Sequence, residues 1–466
     1  MQTDYSKLTL LSLSVFHALL SIALVSFEPF ATLLGILPTP IILLLVILNR
    51  NQNNEAALGS AYIIGLEVIW RITGGFVTYE FAKYSVALIL LTGKLVDRRI
   101  IYVEKRILIY VLSFFPAFYV GLTLLPPSEQ FRQLSSIISG PICLVMAVIY
   151  FSHRRISYAT LIKILQVIGF AIITLTLLLF LKTPNLESIE FRSQSNFQTS
   201  GGFGPNQVSS ILGFGMVIMV ILLWQKRRLT GFLYTDIALL ILIAYRNLLT
   251  FSRGGMIGAI AGIILFIVFI TITRKISKAG LVRLATFIII GTISFNFIWD
   301  RLTNITEGQI VYRFTGRDTL GRVSQNITSG RIFVASDELV TFKDNILSGV
   351  GLSYSKFLRV ERQSILTNTH NEITRTMAEQ GLIGIIGFLS IFWIASKNYR
   401  HRSPFNKAIF WCLIGLFLVT ISHSAMRLSM PSFIFGLALV HAAPSAKSLT
   451  RGEQFAHSTR LWPNNL

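Results

Sequence analysis

One histidine and a handful of arginines carry most of the chemical potential of this chain. His370 stands in "NTHNEITRTMAEQGLIGIIGFL" (368–389), where a polar stretch runs straight into an apolar one. An imidazole there could act as a general base near neutral pH, taking a proton from a sugar hydroxyl. Glu372 and Glu379 are the nearby groups able to orient it, and Asn371 adjoins it. The plainer reading is an interface histidine. Arg253, in "TFSRGGMIG", sits at a helix end before two glycines. Free amides at a helix start, joined to a guanidinium fork, suit a phosphate or diphosphate. The competing reading is an arginine snorkelling to the membrane surface. Arg246, seven residues earlier, either adds charge or satisfies a carbonyl.

Three further stretches supply candidates. "GGFGPNQVSS" (201–210) has a glycine turn, a proline placed to start a helix, and the amides of Asn206 and Gln207 at its mouth. This is either a pocket wall or a plain loop-to-helix junction. Upstream, Arg192 is a candidate third cation. In "TSGRIFVASDEL" (328–339), Ser329 is placed to cap a helix and Arg331 to open it. A cation is unfavourable at that end of the helix dipole, which hints that Arg331 is kept for an anion. The carboxylates Glu67 and Glu80 lie one helical turn from Arg71 and Lys83, so these are either paired bridges within the bundle or residues lining a cavity. There is no Walker loop, paired-cysteine site, HExxH or DxD-type carboxylate pair. No metal site or cofactor is therefore expected.

The elements that must position these residues follow from composition. The chain has 466 residues, 53% hydrophobic and 14% charged, with mean hydropathy +0.64. Soluble domains carry about 25% charged residues. Repeated apolar runs of about 20 residues make this an all-α polytopic membrane protein of about 12–14 transmembrane helices. The two cysteines lie within apolar runs and offer no disulfide or zinc framework. The net charge of +21 reflects basic loops rather than nucleic-acid binding.

Orientation comes from those loops. "DRRIIYVEKR" (97–106), "HRRIS" (153–157), "QKRR" (225–228), "TRKISK" (273–278) and "KNYRHR" (397–402) fall on one side of a fourteen-span arrangement, together with both termini. Basic short loops stay cytoplasmic. Connections 75–77, 126–130, 183–204, 251–253, 300–373 and 425–427 then lie outside. The expected organisation is about eleven transmembrane helices in 1–299, an extracytoplasmic loop with an amphipathic helix in 300–373, C-terminal transmembrane helices in 374–444, and a cytoplasmic tail in 445–466. The amphipathic helix is read from Ile332, Ala335, Leu339, Phe342 and Ile346, and is expected on the membrane surface or across the bundle, ending at "SGVG".

"GGFGPNQVSS", "FSRGGMIG", "SGRIFVASDELVTFKDNILSGVGLS" and "THNEITRTMAEQGLIGIIGF" occur in the order seen in the O-antigen ligase/polymerase superfamily, which this chain resembles over about residues 190–395. The resemblance implies a multi-pass protein of the bacterial inner (plasma) membrane with a lipid-sugar-using (GT-C-like) glycosyltransferase architecture. It implies metal-independent, inverting transfer of a glycan from undecaprenyl diphosphate to an acceptor hydroxyl on a glycan or lipid-linked partner. Carried over, His370 matches the catalytic base, while Arg253 and Arg331 match the diphosphate-binding arginines. Arg192 is the remaining cation, at a spacing longer than the usual pattern. Asn206, Arg246 and Asn371 are possible pocket residues. The competing function is a transporter of bicarbonate or another anion, which needs charged or broken helices at mid-membrane.

Overall fold

A computed structural model describes residues 5–97, 104–273, 278–317, 330–363, 367, 369–397, 399 and 402–443. The tail 445–466, Ser329 and parts of the basic loops 97–106, 273–278 and 397–402 lie outside the described residues. The helices are, in order, α1 (Lys7–Ser26), α2 (Glu28–Ile36), α3 (Pro38–Leu48), α4 (Glu55–Thr73), α5 (Phe81–Val96) and α6 (Ile107–Leu124). They continue as α7 (Pro127–Phe151), α8 (Tyr158–Lys182), α9 (Pro205–Trp224), α10 (Leu233–Leu249), α11 (Arg253–Ile272) and α12 (Lys278–Ile305). Then follow α13 (Gln309–Thr315), α14 (Arg331–Asp344), α15 (Ser355–Gln363), α16 (Glu372–Lys397), α17 (Pro404–Ser424) and α18 (Ser429–Ala438). The short strands β1 (Arg155–Ser157) and β2 (His441–Ala443) pair in parallel.

Among the described residues, 11 helical stretches are long and apolar enough to cross a membrane, with α2 and α3 acting as one. The protein is an all-α polytopic membrane protein. Three runs expected to span are shorter helices: α5 has 16 residues, α10 has 17 and α18 has 10. Polar groups at their ends are drawn into the interior contacts described below, which shortens the apolar stretch. Prolines open α3, α7, α9 and α17, where a missing amide hydrogen costs nothing. Ser6, Ser157 and Ser403 cap α1, α8 and α17. Helices α4, α8 and α9 are the most enclosed.

Each of the six connections expected on one side, or the helix end beside it, meets the others around two adjoining cavities. The remaining connections gather elsewhere: Arg154 joins Asn54 and Asp97, and Arg402 reaches the carbonyls of Ala438 and Leu439. Both pairs form, Glu67 with Arg71 at 2.6 Å and Glu80 with Lys83, and the second pair also lines a cavity.

Helix α14 is amphipathic in an inverted sense. Its polar residues Asp337, Glu338 and Thr341 are buried, whereas Ile332, Phe333, Leu339 and Val340 are exposed. The cause is Arg359 of α15, fully buried and bonded to Asp337 at 2.9 Å and to Glu338 at 3.3 Å. A charge buried that deeply requires such partners. The apolar residues of α14 are thereby left exposed.

Helix α16 breaks at Gly381, whose φ of 63° and ψ of −152° are open only to glycine without strain. The segment "SGVG" fills the break. Val350 and Gly351 donate to the carbonyls of Ala378 and Glu379 at 3.0 Å, and the Leu382 amide donates to the Ile346 carbonyl at 2.8 Å. The backbone groups freed by the kink are thereby satisfied.

Candidate functional site

The first cavity, about 470 Å³, is lined by Arg313, Arg331, Arg427, His370 and Asn206 together with Ser193–Ser195, Phe197 and Tyr312. Its described lining contains no carboxylate. Such a collection of guanidinium groups is stable only with an anion or solvent nearby.

Each cation is held by neighbouring backbone or side-chain oxygens. Arg331 opens α14 and donates to Asn206 Oδ1 at 3.1 Å. The Ser252 hydroxyl donates to the same oxygen at 2.9 Å, so the starts of α9, α11 and α14 share one amide group. Arg313 donates from Nε to the Phe251 carbonyl at 2.9 Å and from Nη2 to the Ser195 hydroxyl at 3.2 Å. Phe251 has a positive φ of 56°, an unusual backbone state for a non-glycine residue that this contact helps to hold. Arg427 donates to the Thr369 carbonyl at 2.7 Å, and the Ala425 amide donates to the His370 carbonyl at 3.0 Å. The histidine strand is thus tied to the α17–α18 joint. That joint rests in turn on Glu67, which accepts from the Ser429 amide and hydroxyl at 2.8 and 2.6 Å.

Burial and mutual repulsion set the electrostatics. Desolvation, then the Arg427 and Arg331 guanidiniums and His423, hold His370 down at about 3, so the imidazole is neutral. Burial and then Arg253 and Arg331 pull Arg313 down to about 10. Burial, then Arg253 and Arg427, lower Arg331. Arg313 and Arg331 thus repel each other across the hollow, with Arg253 and Arg427 adding to the repulsion, and an anion entering it would relieve the strain.

The expected residues divide clearly. His370, Arg331 and Asn206 line the cavity. Arg253, at the first position of α11, is half-buried and acts electrostatically on Arg313 and Arg331 from beside the described lining. Its two following glycines serve packing: a Cβ on Gly254 would stand 2.1 Å from His423 Cδ2, and one on Gly255 2.0 Å from Ser209 Oγ. Arg192 points away, 75% exposed in its side chain and paired with Glu190 at 3.0 Å. Arg246 is fully buried in α10, where Nη2 donates to the carbonyls of Leu179 and Thr199 and to the Thr183 hydroxyl. Asn371 caps α16, its Oδ1 accepting from the Ile373 amide at 2.9 Å. Arg313 and Arg427 are the site cations that sequence reasoning passed over.

Among the described residues, no group of three or more His, Cys, Asp or Glu side chains is placed to hold a metal ion. No curated protein matches the chain. Residues 237–389, which carry Arg253, Arg313, Arg331 and His370, match the family model described as O-antigen ligase. Over that segment the chain is similar to the O-antigen ligase/polymerase superfamily, which supports a membrane glycan-transfer role in polysaccharide biosynthesis.

Proposed function

We propose that the arginine cavity binds the diphosphate of an undecaprenyl-diphosphate-linked glycan and that His370 is the base for its transfer. The observation carrying this reading is the meeting of Arg313, Arg331, Arg427 and His370 around one hollow whose described lining has no carboxylate. In the proposed step, the oxygen of an acceptor hydroxyl forms a bond to the anomeric carbon. The bond from that carbon to the diphosphate breaks on the opposite face, which inverts configuration. The electron pair leaves with the diphosphate, and the hydroxyl proton goes to the His370 imidazole. The guanidiniums stabilise the charge developing on the leaving group, with Arg253 contributing through its field. Side chains thus supply the positive charge, and the reading is metal-independent. The cavity end of the bundle would face outward and both termini the cytoplasm, as the Lys and Arg bias of the loops supports.

The test is Arg331→Ala and His370→Ala in cells whose own copy has been replaced, read as surface glycan size and amount at matched protein levels. Loss of one such charge partner is expected to lower transfer about a hundredfold. Unchanged polysaccharide in both variants refutes the proposal. Anion uptake by proteoliposomes of the pure protein would favour a transporter instead.

A further inference from the structure

A second cavity of about 630 Å³ adjoins the first. Arg427 lines both, and the strand between them turns Thr369 to the second and His370 to the first. Its chemistry differs. Carboxylates face this hollow alongside cations: Glu80 pairs with Lys83, and Glu129 with Arg132. Hydroxyl and amide groups lie between them, with Ser136 donating to Glu80 at 2.7 Å and Lys356 to Gln133. Glu379 is 3% exposed; its Oε1 accepts from Ser355 at 2.9 Å, while Oε2 has no hydrogen-bond donor. A buried carboxylate oxygen left unpaired is costly, and a group that donates to it recovers that cost.

These observations separate the two hollows by ligand class. The first wall has cations without a carboxylate, whereas the second mixes three carboxylates with five Lys and Arg side chains, and such alternating acceptors and donors suit a ring bearing several hydroxyls. We infer that the second cavity holds the sugar of the acceptor, with a hydroxyl donating to Glu379, and presents another hydroxyl past Thr369 to His370. This rests on the reading of the first cavity as the donor site.

The test uses the full-length protein purified in detergent, with undecaprenyl diphosphate as the binding probe, and glycan size in cells as the transfer readout. Ser136→Leu fills the second cavity from an exposed position, and Glu379→Gln replaces the unpaired oxygen with a donor. Both should keep undecaprenyl diphosphate affinity within about twofold, since the sites are separate. Both should lower transfer about tenfold or more, as expected for losing a hydrogen bond to a charged group. Ser136→Leu alone decides the matter if Glu379→Gln fails to fold. Normal glycan in Ser136→Leu at matched protein levels overturns the inference, and so does a tenfold loss of undecaprenyl diphosphate binding in that variant. Arg331→Ala is the separate control. If it keeps full probe affinity, the donor reading falls while the Ser136→Leu result still reports on the second cavity.

Discussion

The side-chain oxygen of Asn206, in the first turn of α9, accepts a hydrogen bond from the Arg331 guanidinium at 3.1 Å across 125 residues of sequence. That contact aims the cation into the cavity. Asn206→Ala should loosen it and weaken undecaprenyl diphosphate binding about tenfold, the size of a lost hydrogen bond to a charged group. Asn206→Asp should also weaken binding, because it adds a carboxylate to a wall that has none. Equilibrium binding by the purified variants checks both.

The pH dependence of His370 follows from its surroundings. With the group held at about 3 by burial, Arg427, Arg331 and His423, the free protein keeps a neutral imidazole down to well below pH 5. The profile of kcat/KM should therefore lack an acid limb near pH 6.5. A bound diphosphate offsets the neighbouring guanidiniums and favours the imidazolium, so the limb in kcat should move upward from about 3. A free-enzyme limb near 6.5 that disappears in His370→Gln would contradict this account.

Gly254 and Gly255 are expected to be intolerant of even one carbon. Overpacking a close interface costs about 1–3 kcal/mol, and the Cβ of Gly255→Ala would also lie 2.3 Å from the Ser209 backbone, which cannot swing aside. Thermal melts in detergent should fall for both alanine variants, together with their abundance in the membrane.

Arg192 and Arg313 should behave differently. Arg192→Ala removes an exposed ion pair and should leave transfer within about twofold. Arg313→Ala removes a cavity cation and the donor to the Phe251 carbonyl, so it should abolish transfer. Arg313→Lys retains charge without the fork, and its partial activity would separate charge from geometry.

Glu338 gives a stability test. Burial raises it from 4.5 to about 7, against the opposing pull of Thr374 and Arg359. The folded state therefore holds a proton that the unfolded state has lost between those values. Stability from this group is present below pH 4.5 and lost as pH rises through about 7. Glu338→Gln should flatten that part of the melting-temperature profile, with Asp337 still partnering Arg359. An unchanged slope would count against it.

Much of the architecture is readable along the chain because each span declares itself by local hydropathy, and the Lys and Arg bias groups the six connections that meet at the cavities. His370 and Arg331 are readable because each stands at a helix start in a polar stretch. Arg427 is not: an arginine between two apolar runs looks like any residue reaching for the membrane surface. Only the contact with Thr369, 58 residues away, puts it between the cavities. Arg246 misleads for the opposite reason. Its charge serves three oxygens of the chain itself, a use that leaves no local pattern. The inverted face of α14 depends on Arg359, which periodicity within α14 does not contain.

The break at Gly381 makes the segment before it and the 346–351 turn a single mechanical piece. Straightening α16 would tear the four backbone bonds that join that turn to the two sides of the break. The first turns of α16 are consequently braced on that turn, so in the proposed transfer little reorganisation of this helix start would be needed.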